Sequence, residues 1–346
     1  MDREMDSLLF IVMSVLLLLI TSRIQAFIHE GGHYVFGKLT GYKFVSFRVG
    51  TYMFFKKNGQ TVLTRSSLAG TGGQCLMSPP DLKNGTMPFR LYNLGGALFN
   101  LLSAFAYIPI WLASKENMTW NIFGLCFITV GVLYFFSNAI PLRNAEIDND
   151  GANTKNMSKN KSAVKSFWMQ LKVSEADLNG VRIKDLPDDW FFIPEDEELK
   201  NTLVSSMGVF YKDKLMDEHK FKEAGEWIDH MLSVEDNGIL PIYQRMLIMD
   251  RVYIELIGDM NPEIIEKFSS KEMAAFRVQM KRYPPLLRTE YALYALYNKN
   301  EKKAEEIKRE FNEWIKVYPY EGEALKELEF VEEVERIRSS NSIFVQ

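Results

Sequence analysis

Three long apolar stretches dominate the first 140 residues of this 346-residue chain. They run from Ser7 to Thr21, with interrupted apolar character as far as Ile28, from Leu91 to Ala113, and from Ile122 to Ile140. Each is close to the roughly 20 residues that cross the hydrocarbon core of a bilayer. The acidic segment before the first stretch, and the lack of a small-residue cleavage site after it, argue against a secretory signal peptide. The pattern therefore predicts an integral membrane protein with three or more transmembrane helices.

Lysine and arginine are distributed unevenly around these stretches. Eight lie between the first and second stretches and five lie between 143 and 165, whereas Arg3 and Lys115 stand alone in the other two flanking segments. Positive residues are retained on the cytosolic side of a membrane. We therefore expect the N-terminus outside, the C-terminal part in the cytosol, and the cell (plasma) membrane as the location.

Residues 42–77 have the composition of strands rather than helices. Aromatic and Val residues alternate with polar ones from Tyr42 to Phe55, and Asn58-Gly59 is typical of a tight hairpin turn. A glycine-rich run, Gly70 to Gly73, precedes a second extended segment that ends at Pro79-Pro80. This region predicts a small β-hairpin sheet at the membrane surface.

The remainder of the chain is predicted to be mostly α-helical. Apolar residues recur three and four positions apart, which predicts helices over Glu197–Met216, Lys220–Leu232, Leu240–Ile257, Lys271–Arg282, Arg288–Tyr297, Glu301–Tyr318 and Glu321–Ile337. Successive helices joined by short connections suit either a tetratricopeptide-like solenoid or a plain helical bundle. Both folds offer a surface for a protein partner. The expected organisation is a membrane domain over 1–155, a polar linker over 156–195 and a cytosolic helical domain over 196–346.

Charge and cysteine content exclude several classes of protein. Residues 1–150 carry 12 basic and 9 acidic side chains, whereas 151–346 carry 29 and 36, so the C-terminal part is acidic. No long basic run offers a footprint for nucleic acid. Two cysteines, Cys75 and Cys126, are too few for a disulfide-stapled scaffold or a four-thiolate zinc site.

The motif His29-Glu30-x-x-His33 follows the first apolar stretch. On a helix, residues four apart share a face, so both imidazoles can bind one zinc ion while Glu30 reaches the water that zinc makes acidic. In a soluble helix such residues would often be ordinary polar groups, but ionisable residues on a membrane helix usually mark a functional site. Nearby Gly31, Gly32 and Gly37 weaken a helix, which suggests that something approaches its backbone closely.

Catalytic zinc needs three protein ligands, so a third must come from elsewhere. His219 and His230 fall in the predicted cytosolic helices, where we interpret them as ordinary helix residues. Asp148 and Asp150 follow the third apolar stretch, on the same predicted side as the histidines. One of these two aspartates is the expected ligand.

Three groups of residues now form a recognisable set. His29-Glu30-x-x-His33, Gly95-Gly96-Ala97-Leu98-Phe99-Asn100, and Asn138-x-x-Pro141 leading to Asp150-Gly151 resemble the site-two protease family of zinc intramembrane metalloproteases. Gly72-Gly73-Gln74-Cys75-Leu76-Met77 is also similar to the loop before that family's second core helix. The resemblance covers roughly residues 7–155. It implies one Zn²⁺ per chain held by His29, His33 and Asp150, with Glu30 as general base and Asn100 and Asn138 positioning the substrate or its oxyanion.

This chain departs from the family pattern at several points. Eight residues separate Pro141 from Asp150, more than the family usually has, which leaves Asp148 as an alternative ligand. Ala97 stands where proline is usual, and the loop from Gly41 to Met87 is too short for the PDZ domain that many relatives insert. The helical cytosolic part is the expected alternative means of selecting a substrate.

The expected function is cleavage of a membrane-anchored protein or peptide near the cytosolic side. A transmembrane helix must unwind before its peptide bond can be attacked, and the freed backbone groups need partners. A strand edge in the hairpin region 44–66 could supply them by β-augmentation. The alternative is a non-catalytic membrane scaffold whose helical domain recruits partners.

Overall fold

The computed structural model describes the chain except for residues 1, 58–59, 66–71, 144–145 and 344–346, and it describes no side chains for 1–6 and 341–346. The chain divides into two compact units. The first comprises Met1–Lys56 and Thr61–Asn160, and the second comprises Lys57–Gln60 and Lys161–Gln346.

Three long helices form the body of the first unit: α1 (Asp2–Leu39), α2 (Arg90–Ser114) and α3 (Met118–Ala139). Their segments Ser7–Leu39, Arg90–Ser114 and Met118–Ala139 are long and apolar enough to cross a membrane. Leucine, isoleucine and phenylalanine side chains are exposed along all three helices. The three long apolar helices predicted from the sequence are therefore present.

Glycines allow α1 and α2 to pack closely. A Cβ atom on Gly32 would lie 2.3 Å from the carbonyl oxygen of Gly95, and one on Gly95 would lie 2.9 Å from that of Gly32. Small residues facing one another let two helix backbones approach in this way. The close approach predicted from the glycines of α1 is therefore made by α2 at Gly32, while Met77 and Tyr92 pack against Gly37.

The predicted sheet is present and has four antiparallel strands. They are β1 (Lys43–Val49), β2 (Tyr52–Lys57), β3 (Gln60–Arg65) and β4 (Gly73–Ser78). Their order is β3-β2-β1-β4, so β3 and β4 lie at the edges. The predicted turn at Asn58-Gly59 and the run Gly70-Thr71 lie outside the described residues.

Strand β1 runs back along α1 toward the N-terminal half of that helix. Its contacts with α1 begin with Tyr34 against Phe44, with ring centroids 5.9 Å apart, and continue with Phe27 against Phe47 at 5.4 Å. The turn after β1 then reaches the level of Arg23, whose Nη1 lies 3.9 Å from the position of a Cβ on Gly50. The sheet therefore lies along one side of α1 from Arg23 to Tyr34, the stretch that contains the His-Glu-x-x-His motif.

After α3 come the short helix α4 (Asp150–Met157) and the second unit, which is helical. Its helices are α5 (Lys161–Leu178), α6 (Thr202–Asp217), α7 (Phe221–Ser233), α8 (Pro241–Ile257), α9 (Pro262–Glu266), α10 (Lys271–Gln279), α11 (Pro284–Ala292), α12 (Glu301–Trp314) and α13 (Glu321–Ile343). All seven helices predicted from the periodicity are present. Asparagine side chains cap the starts of some of them, such as Asn201 before α6 and Asn300 before α12.

This unit corrects the predicted linker and decides between the two predicted forms of the helical domain. The segment 156–195 does not form a linker, because α5 and two short 3₁₀ turns occupy much of it and the units divide after Asn160. Between the two predicted forms of the helical domain, the contacts favour a bundle. In a solenoid each repeat contacts only its neighbours, whereas the last helix, α13, packs against the first, α5, and against α8 and α11.

Charged side chains are buried inside this bundle. Lys212 of α6 and Arg288 of α11 both pair with Asp250 of α8, and Arg288 also lies 3.3 Å from Oε2 of Glu327. Glu327 is 1% exposed. Burial, only partly offset by Arg288 and Lys326, raises the pKa of Glu327 to about 7 from 4.5.

This raised pKa predicts a pH dependence of stability. Between pH 4.5 and about pH 7, the folded chain keeps a proton on Glu327 that the unfolded chain releases, so the free energy of unfolding falls as pH rises. We expect the wild type to lose on the order of 1–3 kcal/mol relative to Glu327→Gln across this range. Thermal melts of the whole protein in detergent, recorded at several pH values, measure this change in the free energy of unfolding. Glu332→Gln, on the exposed side of α13, should follow the wild type, and parallel curves for wild type and Glu327→Gln would contradict the assignment.

Candidate metal centre

Helix α1 brings both motif histidines to one buried position. His29 and His33 are each 8% exposed, and their ring centroids are 4.7 Å apart. Their Nε2 atoms are separated by 3.1 Å. The four-residue spacing on a continuous helix has this result because it turns both side chains to the same face.

Hydrogen bonds donated to α2 set the tautomer of each histidine. Nδ1 of His29 lies 2.8 Å from Oδ1 of Asn100, and Nδ1 of His33 lies 2.7 Å from the carbonyl oxygen of Tyr92. Both oxygens can only accept, so each Nδ1 carries a proton and donates it. In a neutral imidazole the lone pair is then on Nε2. The two Nε2 lone pairs therefore face each other.

The side chain of Asn100 is itself held in one orientation. Its Nδ2 donates to the carbonyl oxygen and to Oε1 of Gln25, each at 2.8 Å. Gln25 is fixed in turn, because its Nε2 donates to the carbonyl oxygen of Phe127 in α3. These hydrogen bonds orient the Asn100 amide so that its Oδ1 accepts the hydrogen bond from Nδ1 of His29.

The third group at this point is Asp150. Its Oδ2 lies 3.1 Å from Nε2 of His29 and 3.4 Å from Nε2 of His33. Two imidazole nitrogens and a carboxylate oxygen thus converge, and a divalent cation placed between them would be bound by all three.

The geometry of the three atoms suits a zinc ion. Zinc–nitrogen and zinc–oxygen bonds of about 2.0–2.2 Å in a tetrahedron place neighbouring ligand atoms roughly 3.3 Å apart. The three separations observed are 3.1, 3.1 and 3.4 Å. Two imidazoles and one carboxylate are the three protein donors of a catalytic zinc site, in which water or substrate takes the fourth position. The hydrogen bonds on both Nδ1 atoms complete the usual support of metal-binding histidines.

The connection between α3 and α4 places Asp150 at the histidines. Asn149 caps α4 by accepting from the backbone N–H of Ala152, and its Nδ2 donates to the carbonyl oxygens of Ser137 and Ile140 at the end of α3. Gly151 allows the close approach, since a Cβ there would lie 2.4 Å from the carbonyl oxygen of Ala139. No role for Asn149 was predicted from the sequence, although an Asn just before a helix is a recognisable cap signal.

Asp148, the alternative ligand, has other partners. Its carboxylate accepts from Nε of Arg143 and from Nδ2 of Asn156, both at 3.0 Å. Of the two aspartates, only Asp150 joins the histidine pair in the potential metal-binding group found among the described residues. His219 and His230 belong to the second unit, where they contact Glu329 and Asp196.

Glu30 is buried beside this group and next to the sheet. It interacts electrostatically with both histidines and with Asp150. Its carboxylate occupies the space that a side chain at position 73 would need, because a Cβ on Gly73 would lie 2.5 Å from Oε1 of Glu30. The first residue of β4 therefore lies against the side chain expected to act as general base.

The two asparagines implied by the family resemblance occupy different surroundings. Asn100 is 0% exposed, and its amide is engaged by His29 and Gln25, which suits orienting a ligand rather than touching a substrate. Nδ2 of Asn138 donates to the carbonyl oxygen of Tyr134 and to Oγ of Ser137. Neither of these partners belongs to the metal group, and the predicted substrate-positioning roles stay predictions.

Gly96 of α2 should be essential for metal binding. A Cβ at this position would lie 2.6 Å from Cε1 of His29 and from Nε2 of His33, so Gly96→Ala must displace an imidazole. We expect zinc affinity, measured by competition with a chelating dye, to fall at least as far as on loss of a supporting hydrogen bond, about 10–100-fold. Gly31→Ala is the matched control, because its Cβ would meet only Phe99, at 3.9 Å. Unchanged affinity in Gly96→Ala would contradict the described packing.

Comparison with known proteins adds no assignment to this geometry: no protein-family model, curated protein or solved structure matches the chain.

Proposed function

We propose that this protein is a zinc-dependent intramembrane endopeptidase that cleaves a membrane-anchored substrate near the cytosolic side. The observation that carries the proposal is the convergence of Nε2 of His29, Nε2 of His33 and Oδ2 of Asp150 around one point, with Glu30 beside them. A scaffold that only anchors partners has no need for two buried histidines on an apolar helix that meet an aspartate from another helix. The resemblance to the site-two protease family supports the same conclusion.

The proposed chemistry divides between the metal and Glu30. Zinc, when bound by His29, His33 and Asp150, would polarise the scissile carbonyl and acidify a water molecule. Glu30 accepts the proton of the attacking water and returns it to the leaving amine. The hydrogen bonds that the Nδ1 atoms of His29 and His33 donate to Asn100 and Tyr92 hold both histidines in the tautomer that leaves Nε2 free.

The length of α1 supports a site near one membrane face. A bilayer core of about 30 Å corresponds to about 20 helical residues, so a crossing that starts at Ser7 ends near Phe27. His29 and His33 follow within two turns. With the N-terminus outside, as the basic residues indicate, the site lies at the cytosolic side of the membrane, and the helical bundle is cytosolic.

The sheet offers a place for an unwound substrate. The edge strand nearest Glu30 is β4, which lies outside the region 44–66 considered from the sequence. Within β4 the residues Cys75 to Ser78 are buried, whereas Gly73 and Gln74 are partly exposed. An extended segment that pairs with this open end would satisfy its freed backbone groups and bring a peptide bond to Glu30. The cytosolic bundle would then bind a further part of the substrate or a protein partner.

Metal analysis together with a cleavage assay tests the proposal. The protein purified in detergent should contain about one zinc per chain, and it should cut a membrane-anchored reporter in a reaction that a chelator stops and added zinc restores. A protein that binds no zinc at micromolar concentration would reject the proposal. So would cleavage that continues at full rate after the metal is removed.

A further inference from the structure

Arg23 places a positive charge in the apolar part of α1, where it interacts electrostatically with Tyr134 of α3. Its side chain is exposed, and no hydrogen bond or ion pair joins it to another residue in the described part of the chain. Charged residues are costly in a membrane helix and are usually retained for a function. A long side chain can lead its charge toward the interface, but the Arg23 guanidinium lies instead beside Gly50, in the turn after β1.

The position of Arg23 relates it to Glu30. Seven residues make almost two full turns, so both side chains leave α1 on the same face, about 10 Å apart along the axis. Phe27 lies between them on that face and is 58% exposed. Arg23 therefore points into the same space beside α1 as the proposed general base.

The sheet links the surroundings of these two residues. The N–H of Gly50, beside Arg23, donates to the carbonyl oxygen of Gly72 at 2.9 Å, and the next residue, Gly73, lies against Glu30. Arg48 strengthens the link by donating to the carbonyl oxygens of Gly50 and Gly73. The backbone of Gly73, Gly72 and Gly50 thus forms a continuous edge of the sheet that extends from Glu30 to Arg23.

An extended peptide that lies along this edge, with its scissile bond at Glu30, would reach Arg23 after a fixed number of residues. It advances about 3.3 Å per residue, so 10 Å corresponds to about three residues from the bond at Glu30. A guanidinium binds carboxylates most strongly because its N–H groups match their two oxygens. None of the described residues is recorded as pairing a carboxylate with Arg23, and a carboxylate of a bound substrate would fit this position.

We propose that Arg23 determines specificity by pairing with an Asp or Glu side chain of the substrate, about three residues from the scissile bond on the extracellular side. This proposal rests on the proposed protease function. It predicts a substrate class: membrane segments that carry an acidic residue close to the cleaved bond. The acidic residue would also make it costly for that part of the segment to remain in lipid, which favours its transfer to the polar site.

Binding to synthetic membrane peptides tests the proposal without catalysis. The full chain carrying Glu30→Gln is placed in phosphatidylcholine nanodiscs with labelled peptides of about 22 Leu and Ala residues that differ only in Asp, Asn or Leu at one position. We expect the Asp peptide to bind about tenfold more tightly than the Asn peptide, as a charge-assisted hydrogen bond would give. Arg23→Gln should remove this preference, and Lys38→Gln, which removes an exposed positive charge from the same helix, should retain it.

Charge reversal and a change of lipid distinguish substrate pairing from a structural or lipid-binding role of Arg23. Arg23→Glu should prefer a peptide with Lys in place of Asp, which a structural role of Arg23 would not produce. Equal binding of the Asp and Asn peptides, or no binding of either, would overturn the proposal. A preference seen in maltoside micelles but lost in nanodiscs would also overturn it, because Arg23 would then pair with lipid phosphate. Zinc content is measured separately. If the chain contains zinc but does not prefer the Asp peptide, only the role of Arg23 is rejected. If the chain contains no zinc, the proposed protease function is rejected.

Discussion

Asp150→Ala is expected to reduce bound zinc from about one equivalent per chain to nearly none. The change removes one of three donors and leaves two imidazole lone pairs 3.1 Å apart, a pair that binds a metal weakly. Loss of a supporting hydrogen bond alone costs about 10–100-fold in metal affinity, so loss of a ligand should cost more. Metal analysis by mass spectrometry after dialysis measures the result directly.

Asp148→Ala provides the control for this experiment. It removes the same carboxylate from the same loop, two residues away, but Asp148 pairs with Arg143 and Asn156. Zinc content should therefore stay near that of the wild type. If instead Asp148→Ala loses zinc and Asp150→Ala retains it, the ligand assignment is reversed and the described geometry of α4 is wrong.

Glu30→Gln is expected to retain zinc and to lose cleavage. Glutamine has the same shape as glutamate and fits against Gly73, so the histidines and Asp150 are not disturbed. It cannot accept a proton from water, and general-base catalysis contributes about 10²–10⁴-fold to a rate. The rate of reporter cleavage should fall by that factor, with bound zinc unchanged.

Two comparisons make the Glu30 result specific. Glu146→Gln, in the loop before α4, removes an equal charge outside the metal group and should leave both zinc and cleavage unchanged. His33→Ala should lose zinc and cleavage together, which separates a missing metal from a missing base. Full cleavage by Glu30→Gln would show that the proposed mechanism is incorrect even if zinc is present.

The local features of the chain were predictable because neighbouring residues determine them. Three apolar stretches of suitable length predicted α1, α2 and α3, and the four-residue spacing of His29 and His33 predicted that they share a helix face. In the second unit the apolar periodicity predicted α6 to α8 and α10 to α13. The helix α5 was missed because its polar start, from Lys161 to Ser166, was interpreted as part of a linker.

Other features depended on contacts between distant residues. The choice of a bundle over a solenoid required α13 to meet α5, which no local pattern indicates. The edge strand at Glu30 is β4 rather than β3, because β4 adds to the sheet beside β1 and next to α1. The tautomers of the histidines follow from Asn100 and Tyr92, which belong to another helix.

Local sequence was sufficient to predict three helices able to cross a membrane, a His-Glu-x-x-His motif on the first of them, and a helical C-terminal part. The folded chain was needed to show that Asp150, and not Asp148, completes the group with His29, from which it is separated by 121 positions. This difference arises because periodicity and capping act within a few residues. Convergence of three donor atoms to within 4.8 Å depends instead on how helices pack, here through Gly32 against Gly95 and Asn149 against the end of α3.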